Sequence, residues 1–451
     1  MRKKILRILS FPAVLLAFGI IFFAFSGWKR NNALEIPPNK YHPDVAIAWI
    51  KMQQRLFAGT PGLLPHVTGR TYAYVGLTLY ESVVPGMPGY QSIASQLNGG
   101  LRLPAIQQGQ QFNCAASANA ALAYILKNLL PHTSQQLLNS IDSLEAEFYT
   151  RFQTDGDAEV LKRSANFGKQ IAASIFEWSK TDGGHEGYKN PIPESYIPPT
   201  GPGKWVPTDS MFIKPVYPYW GNNRSFIPGV ADATQPPPPP PYSEIPGSDF
   251  YNAANEVYTM SKNLQRKDSL CAKFWAYEQL NPGDEVAFHD VSHAANIATQ
   301  MIIMKKLSLQ DAAVIYCKHG IAGNEAGISC VKTKFRYNVV RPVTYIQTVL
   351  KHPNWNPVIF TPPFPEYTSG HAVVSMSYAT VLENIFGKIP FTDHSFDNSY
   401  GPRKFESFEA YAKEAALSRL YGGIHYRFGM DDGLKQGKKV AVLVNQLKFQ
   451  R

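Results

Sequence analysis

Residues 308–342 read SLQDAAVIYCKHGIAGNEAGISCVKTKFRYNVVRP. Apolar residues recur there at three- and four-residue spacings with almost no strict alternation, which predicts a helix over Ser308–Asn338 that Pro342 must end or bend. The same texture runs outward in both directions. Towards the N-terminus it predicts helices over 44–57, 71–84, 115–130, 133–152 and 157–180, then over 250–264, 269–277 and 288–307. Beyond Pro342 it predicts helices over 369–386, 405–422 and 433–447. No internal repeat is visible, and the pattern as a whole predicts an all-α fold.

One segment breaks the texture. Gly183–Gly247 is rich in Pro and Gly, and Pro236–Pro241 are six prolines in a row. Each proline lacks an N–H and fixes φ, so this stretch cannot continue the helices. A connection of this length is a linker or a functional loop. Tyr217, Tyr219, Trp220, Phe226 and Tyr242 favour a loop packed over the body, because a solvated linker would not carry so many aromatics. The proline run serves better as a rigid spacer than as a polyproline ligand. Four regions follow: a leader over 1–30, an N-terminal helical region over 31–182, the loop segment over 183–247 and a catalytic helical domain over 248–451.

The leader consists of Arg2, Lys3, Lys4 and Arg7 followed by the uncharged run Ile8–Trp28, with Lys29 and Arg30 after it. Its 21 uncharged residues can span a hydrocarbon layer roughly 30 Å thick as a signal anchor, or be removed as a long signal peptide. Either reading predicts an exported body that is periplasmic, membrane-anchored or secreted, and only the anchor would hold the protein on a membrane.

Composition narrows the function classes. The chain has 451 residues, a net charge of +10, 44% hydrophobic residues and only 17% charged ones, against roughly 25% in an average soluble domain. That apolar mass excludes wholesale disorder. No Lys/Arg cluster or reading motif follows residue 7, so no nucleic-acid partner is expected. Cys114, Cys271, Cys317 and Cys330 contain no C-x-x-C pair, which argues against a zinc site.

The chemistry is concentrated in three stretches of the last third. In Lys334-Phe-Arg-Tyr-Asn-Val-Val-Arg341-Pro342, seven positions would put Lys334 and Arg341 on one helix face about 10 Å apart, while Pro342 biases Arg341 away from the helical region. Two such cations repel unless an anion lies between them, and the planar fork of arginine suits oxyanions. In Thr368-Ser369-Gly370-His371, a hydroxyl and free backbone amides open an apolar helix, an arrangement that caps the helix or cradles an anion. In Ser418-Arg419-Leu-Tyr-Gly-Gly-Ile-His425, Arg419 continues an inner face formed by Phe408, Ala412 and Ala415. Gly422 and Gly423 then end that helix and turn His425 inward. A core-facing arginine needs a buried anion. Lys334, Arg341, Ser369, Gly370, Arg419, His371 and His425 together describe a cage for a tetrahedral oxyanion.

The order K-x6-R-P, then S-G-H after 26 further residues and S-R-x5-H after 46 more, resembles the vanadium-dependent haloperoxidase and type-2 phosphatidic acid phosphatase superfamily. The resemblance covers Phe250 to the C-terminus. The N-terminal helices, AKFWA at 272–276 and NVVRPVTYI at 338–346 are similar to bacterial members on the haloperoxidase side. It implies a helical bundle with long Pro-rich loops, vanadate as cofactor, and hydrogen peroxide and halide as substrates. Lys334, Arg341, Arg419, Ser369 and the Gly370 N–H would hold the equatorial oxygens, His425 would coordinate vanadium, and His371 would be the acid/base. The alternative within the superfamily is an acid phosphatase that needs no vanadate and attacks a phosphate ester with His425; a non-catalytic oxyanion-binding protein is a third reading.

Three positions depart from the family pattern. Thr368 stands where Pro is usual. Gly429 replaces an Asp four residues after His425, so Asp431, Asp432 or a carbonyl is expected to orient that imidazole. Val331 stands where haloperoxidases place a halide-site Trp, while Phe364 keeps the apolar partner; Val331 and Phe364 are the candidate halide or substrate pocket. Trp275, Tyr277, Phe288 and His289 are candidates for its mouth. His293, His319 and His394 have no partner spacing that suggests a ligand.

Overall fold

Among the described residues the chain forms α1 (Asp44–Gly59), α2 (Pro65–Val83), α3 (Cys114–Leu129), α4 (Gln135–Gln153), α5 (Ala158–Ser179), α6 (Val230–Ala233), α7 (Asp249–Lys262), α8 (Arg266–Phe274), α9 (Asp290–Met304), α10 (Leu309–Tyr337), α11 (Pro342–Thr348), α12 (Gly370–Phe386), α13 (Phe408–Tyr421) and α14 (Arg427–Asn445). Two three-residue strands, β1 (Phe391–Asp393) and β2 (Arg403–Phe405), pair antiparallel with Phe391 opposite Phe405. The structure is a computed structural model that describes residues 41–106, 109–278, 280–281, 284 and 290–451. The leader run Ile8–Trp28, Phe288 and His289 lie outside them.

The helix predicted over Ser308–Asn338 is α10, bounded by its caps. Ser308 Oγ accepts from Asp311 N at 3.2 Å and the Asp311 carboxylate accepts from Ser308 N at 3.1 Å, a reciprocal cap that satisfies two orphan donors. At the far end Asn338 turns left-handed, with φ +52°, and stops the helix. In consequence Lys334 and Arg341 do not share a helix face. Arg341 is extended (ψ 152°) and forms the N-cap of α11, whose first residue is Pro342. Sequence reading missed α11 and the β1–β2 hairpin because both are too short to show a period. It also started α14 six residues late, at Gly433 instead of Arg427.

Helix α10 packs chiefly on α2 and α12, and α12 in turn on α13 and α14. The α2–α10 crossing is set by two glycines. A Cβ on Gly76 would collide with the Tyr316 carbonyl, and one on Gly320 with the Tyr72 carbonyl, so each helix approaches the other's bare backbone. The 183–247 segment packs on this bundle through buried Trp205, Tyr217, Trp220 and Phe226, and Pro237 O accepts a hydrogen bond from Tyr367 at 2.7 Å. Burial of large aromatics, roughly 1.5–3 kcal/mol each, holds a stretch that has few ladder hydrogen bonds. All four cysteines are buried thiols.

Gly320→Val is expected to destabilise the protein by at least about 2 kcal/mol, because the helices cannot separate without losing their packing. A lowered urea midpoint at unchanged slope would show it; an unchanged midpoint would mean that the crossing can relax.

Candidate functional site

The end of α10, the α11 N-cap, the 359–370 loop and the α13–α14 turn converge on one buried centre. Lys334, Arg341, Ser369, Arg419 and His425 are all at most 3% exposed. The α13–α14 turn is made as the sequence suggests: Gly423 has φ +79°, Ile424 N bonds back to Arg419 O at 3.2 Å, and His425 is directed inward.

Each cation is held by carbonyls. Lys334 Nζ donates to Pro365 O (2.9 Å), Glu366 O (2.9 Å) and Thr368 O (2.6 Å), which uses all three ammonium donors. It therefore acts on an anion through charge, not through a hydrogen bond of its own. Arg341 donates through Nε to Phe364 O (2.9 Å) and through Nη1 to Ile424 O (2.9 Å), and Nη1 lies 3.2 Å from His425 Nε2. Arg419 donates to Ser418 Oγ (3.0 Å) and Ala272 O (3.2 Å). The Phe364 ring lies 5.0 Å from Lys334 Nζ and 5.2 Å from the Arg341 guanidinium carbon, presenting its face to both. Burial pushes Lys334 down to about 8 and Arg341 down to about 10.

His425 is oriented by a residue that sequence reading did not select. Its Nδ1 lies 2.7 Å from Glu366 Oε1, which also accepts from Tyr426 N at 3.1 Å. Asp432 instead receives the Tyr367 hydroxyl at 3.0 Å, and the carboxylate on the imidazole is that of Glu366. Gly429 explains the exchange, because a Cβ there would collide with the Glu366 carboxylate. The carboxylate reaches His425 from the 359–370 loop and fills the volume that a side chain at 429 would occupy. An acid inside the otherwise uncharged run Val358–Thr368 was the available signal. Burial, then the charges of Arg341, Lys334, Arg419 and His371, hold His425 well below 6.5. Burial raises Glu366 to about 7 against the lowering effect of Lys334 and Arg341. A neutral His425 that donates from Nδ1 to Glu366 presents its Nε2 lone pair to the centre.

His371 is half-buried and its Nε2 lies 2.9 Å from Trp275 O, which fixes that nitrogen as the donor. The centre opens into a cavity of about 410 Å³, lined by Lys334, Gly370, His371, Arg419, His425, Val331, Phe364, Trp275 and Tyr277 of the predicted residues, by Trp220 of the packed loop, and by His66 and Asn324, for which the sequence offered no signal. His293 is buried with its Nε2 2.7 Å from Asp393. His394 pairs with Asp397 at 2.8 Å on the surface, and His319 stacks on Tyr378.

Residues 314–450 match the family described as the VCPO second helical-bundle domain. Among solved structures the chain is similar to a bacterial vanadium-dependent iodoperoxidase, with 31% identity, TM-score 0.79, and coverage of 92% of this chain and 98% of that one. The chain belongs to the vanadium-dependent haloperoxidase superfamily. Bacterial vanadium-dependent chloroperoxidases share the fold in apo and holo forms, at 16% and 17% identity, TM-scores 0.63 and 0.61, and coverage of 94% of this chain and 96% and 97% of theirs. A search of curated proteins gave no match.

The haloperoxidase cofactor is vanadate, and the residues present fit it. Among the described residues, Ser369 Oγ is buried without a hydrogen-bond partner, a Cβ on Gly370 would meet only open space, and no cluster of three His, Cys, Asp or Glu side chains is placed to hold a metal cation. Of the three buried cations, Lys334 and Arg341 act on Glu366, a carboxylate whose own charge is disfavoured by burial. Such a centre accepts a multiply charged oxyanion and repels a bare cation.

Gly429→Asp is expected to displace Glu366 and weaken vanadate binding at least tenfold, while Glu366→Ala combined with Gly429→Asp recovers most of the loss. Equilibrium dialysis measures both; a double variant no better than Gly429→Asp alone would refute the exchange. The pH dependence of stability follows from the same pair. On folding without vanadate, lowered His425 gives up a proton below 6.5 and raised Glu366 takes one up between about 4.5 and 7, so their slopes oppose below 6.5. Glu366→Gln leaves His425 alone, and the urea midpoint of the native chain is expected to rise relative to this variant as the pH falls from about 7 to 4.5. A constant difference would argue against it.

Proposed function

We propose that the protein oxidises a halide with hydrogen peroxide at a vanadate held by His425, with iodide as the first halide to test. The observation that carries this reading is the His425–Glu366 couple, 2.7 Å apart, set among Lys334, Arg341 and Arg419. The choice of iodide is supported by the 31% identity with a bacterial iodoperoxidase.

When bound, vanadate supplies a Lewis-acidic centre that activates peroxide towards a halide. Arg341, Arg419, the Ser369 hydroxyl and the Gly370 N–H bind the anion's oxygens, and Lys334 adds positive charge while tying down the 365–368 loop. Glu366 keeps the Nδ1 proton of His425 in place, so that Nε2 presents its lone pair to the anion. His371, its Nε2–H held by Trp275 O, moves a proton at Nδ1 as peroxide is consumed. Net, one halide loses two electrons, the peroxide O–O bond breaks, and hypohalous acid and water form with uptake of one proton.

Reconstitution with one equivalent of orthovanadate, followed by peroxide and iodide, is expected to give triiodide. His425→Ala is expected to abolish turnover and His371→Ala to lower kcat at least 100-fold. Absence of iodide oxidation, together with vanadate-inhibited hydrolysis of p-nitrophenyl phosphate, would replace this reading with the phosphatase one.

A further inference from the structure

The imidazole of His371 is held from behind by a main-chain carbonyl, and the groups that hold that carbonyl lie outside the anion centre. His371 Nε2 is 2.9 Å from Trp275 O, at the end of α8. The chain tightens there, with Ala276 N bonded to Lys273 O at 3.1 Å and Tyr277 N to Phe274 O at 3.2 Å. In a regular helix Ala272 O would accept from Ala276 N; here it accepts from Arg419 Nη2 at 3.2 Å. Two groups of the centre thus depend on where one short helix ends.

Trp275 fixes that end. It is fully buried, and its indole N–H donates to Glu414 Oε1 at 3.0 Å, on α13. The same oxygen accepts from Arg403 Nε at 2.6 Å. His293 packs on the indole with ring centroids 5.2 Å apart, and its Nε2 lies 2.7 Å from Asp393. Both supports lead back to the β1–β2 hairpin, where Asp393 and Arg403 stand directly opposite each other. One cross-strand pair therefore grips the indole twice, at its N–H through Glu414 and against its ring through His293. The Arg403 guanidinium also lies 4.6 Å from the Phe274 ring centroid, on the residue before.

We infer that Glu414 is a positioning residue for His371, acting through the indole N–H and the carbonyl of Trp275, with the Asp393–Arg403 pair as its support. The inference rests on the haloperoxidase reading only for its effect on turnover. With Trp275 O in place the neutral imidazole keeps its proton on Nε2, and Nδ1 is left to exchange one. If the indole loses its acceptor, Trp275 can shift, its carbonyl withdraws, and neither nitrogen of His371 is favoured. The anion's own holders are less affected: Lys334 and Arg341 are bonded to carbonyls of other segments, and Arg419 keeps Ser418 Oγ. The loss should therefore fall on proton transfer and spare binding.

The test begins without turnover. Nitrogen NMR of the histidine-labelled full chain, without vanadate or peroxide and at a pH where the His371 ring is neutral, reads its two tautomers; His371→Gln identifies the signals. The native chain is expected to show mainly the Nε2–H form. Glu414→Leu is expected to lower the ratio of Nε2–H to Nδ1–H form at least threefold, while Glu414→Gln, which keeps an oxygen for the indole N–H, stays close to native. With vanadate, peroxide and iodide, Glu414→Leu is expected to lower kcat at least tenfold and to change the KM for peroxide and the vanadate affinity less than threefold. Trp275→Phe, which removes the N–H, is expected to lower kcat similarly, and the double variant no further. If Glu414→Leu does not fold, Trp275→Phe carries both measurements. A native tautomer ratio in the variant that folds, an equal loss in Glu414→Gln, or additive losses in the double variant would each overturn the inference. If the native chain oxidises no iodide, the haloperoxidase reading fails while the tautomer ratio still decides the role of Glu414.

Discussion

Three buried cations must be kept in a protein interior without enough negative charge to balance them, and much of the architecture around the site answers that constraint. An unpaired internal charge costs several kcal/mol. Lys334 and Arg341 meet the cost with main-chain carbonyls, six of which lie between 2.6 and 3.3 Å from their donor nitrogens. Those carbonyls belong to the 359–370 loop and the α13–α14 turn, so the two cations also shape the segments that present Ser369, Gly370 and His425. Carbonyl dipoles lower the cost of burial without cancelling the charge, and the field remains available to an anion.

Within that field one carboxylate has a specialised duty. Glu366 is fully buried, bonded through Oε1 to His425 Nδ1 and Tyr426 N, and its other oxygen has no hydrogen-bond partner among the described residues. An acid in this setting neutralises little, since burial already favours its protonated form, but it fixes which imidazole nitrogen carries the hydrogen. The family pattern assigns that duty to an Asp four residues after the last His. Here the group comes from a different segment of chain, and the glycine at 429 makes its entry sterically feasible. What matters is the position of the oxygen relative to Nδ1, whichever backbone delivers it.

How much of this could be read from the sequence depends on the range of the signal. Long amphipathic helices such as α10 and α5 were legible because their periodicity repeats over many turns, and the three motif stretches were legible because anion-binding groups stand out in apolar surroundings. Arg341 illustrates the limit: its placement depends on one left-handed residue, Asn338, which breaks the helix that spacing alone would continue. Glu366 and Gly429 illustrate another. They are 63 positions apart, and their relation is one of shared volume, which a single chain does not spell out. The Asp393 partner of His293 lies 100 positions away on a strand three residues long, and His66 reaches the cavity from α2, in the other half of the chain.

The proline-rich segment is joined by main-chain bonds to the spot where the arginine is held. Trp205 N donates to Asn338 O at 2.8 Å, Val340 N to Gly203 O at 2.9 Å, and Glu366 N to Val339 O at 3.0 Å. Residues 203–205 therefore act as a splint across the break between α10 and α11. A protease nick at this point, beside Lys204, would free Arg341 and Glu366 to shift and distort the centre with every one of its side chains intact.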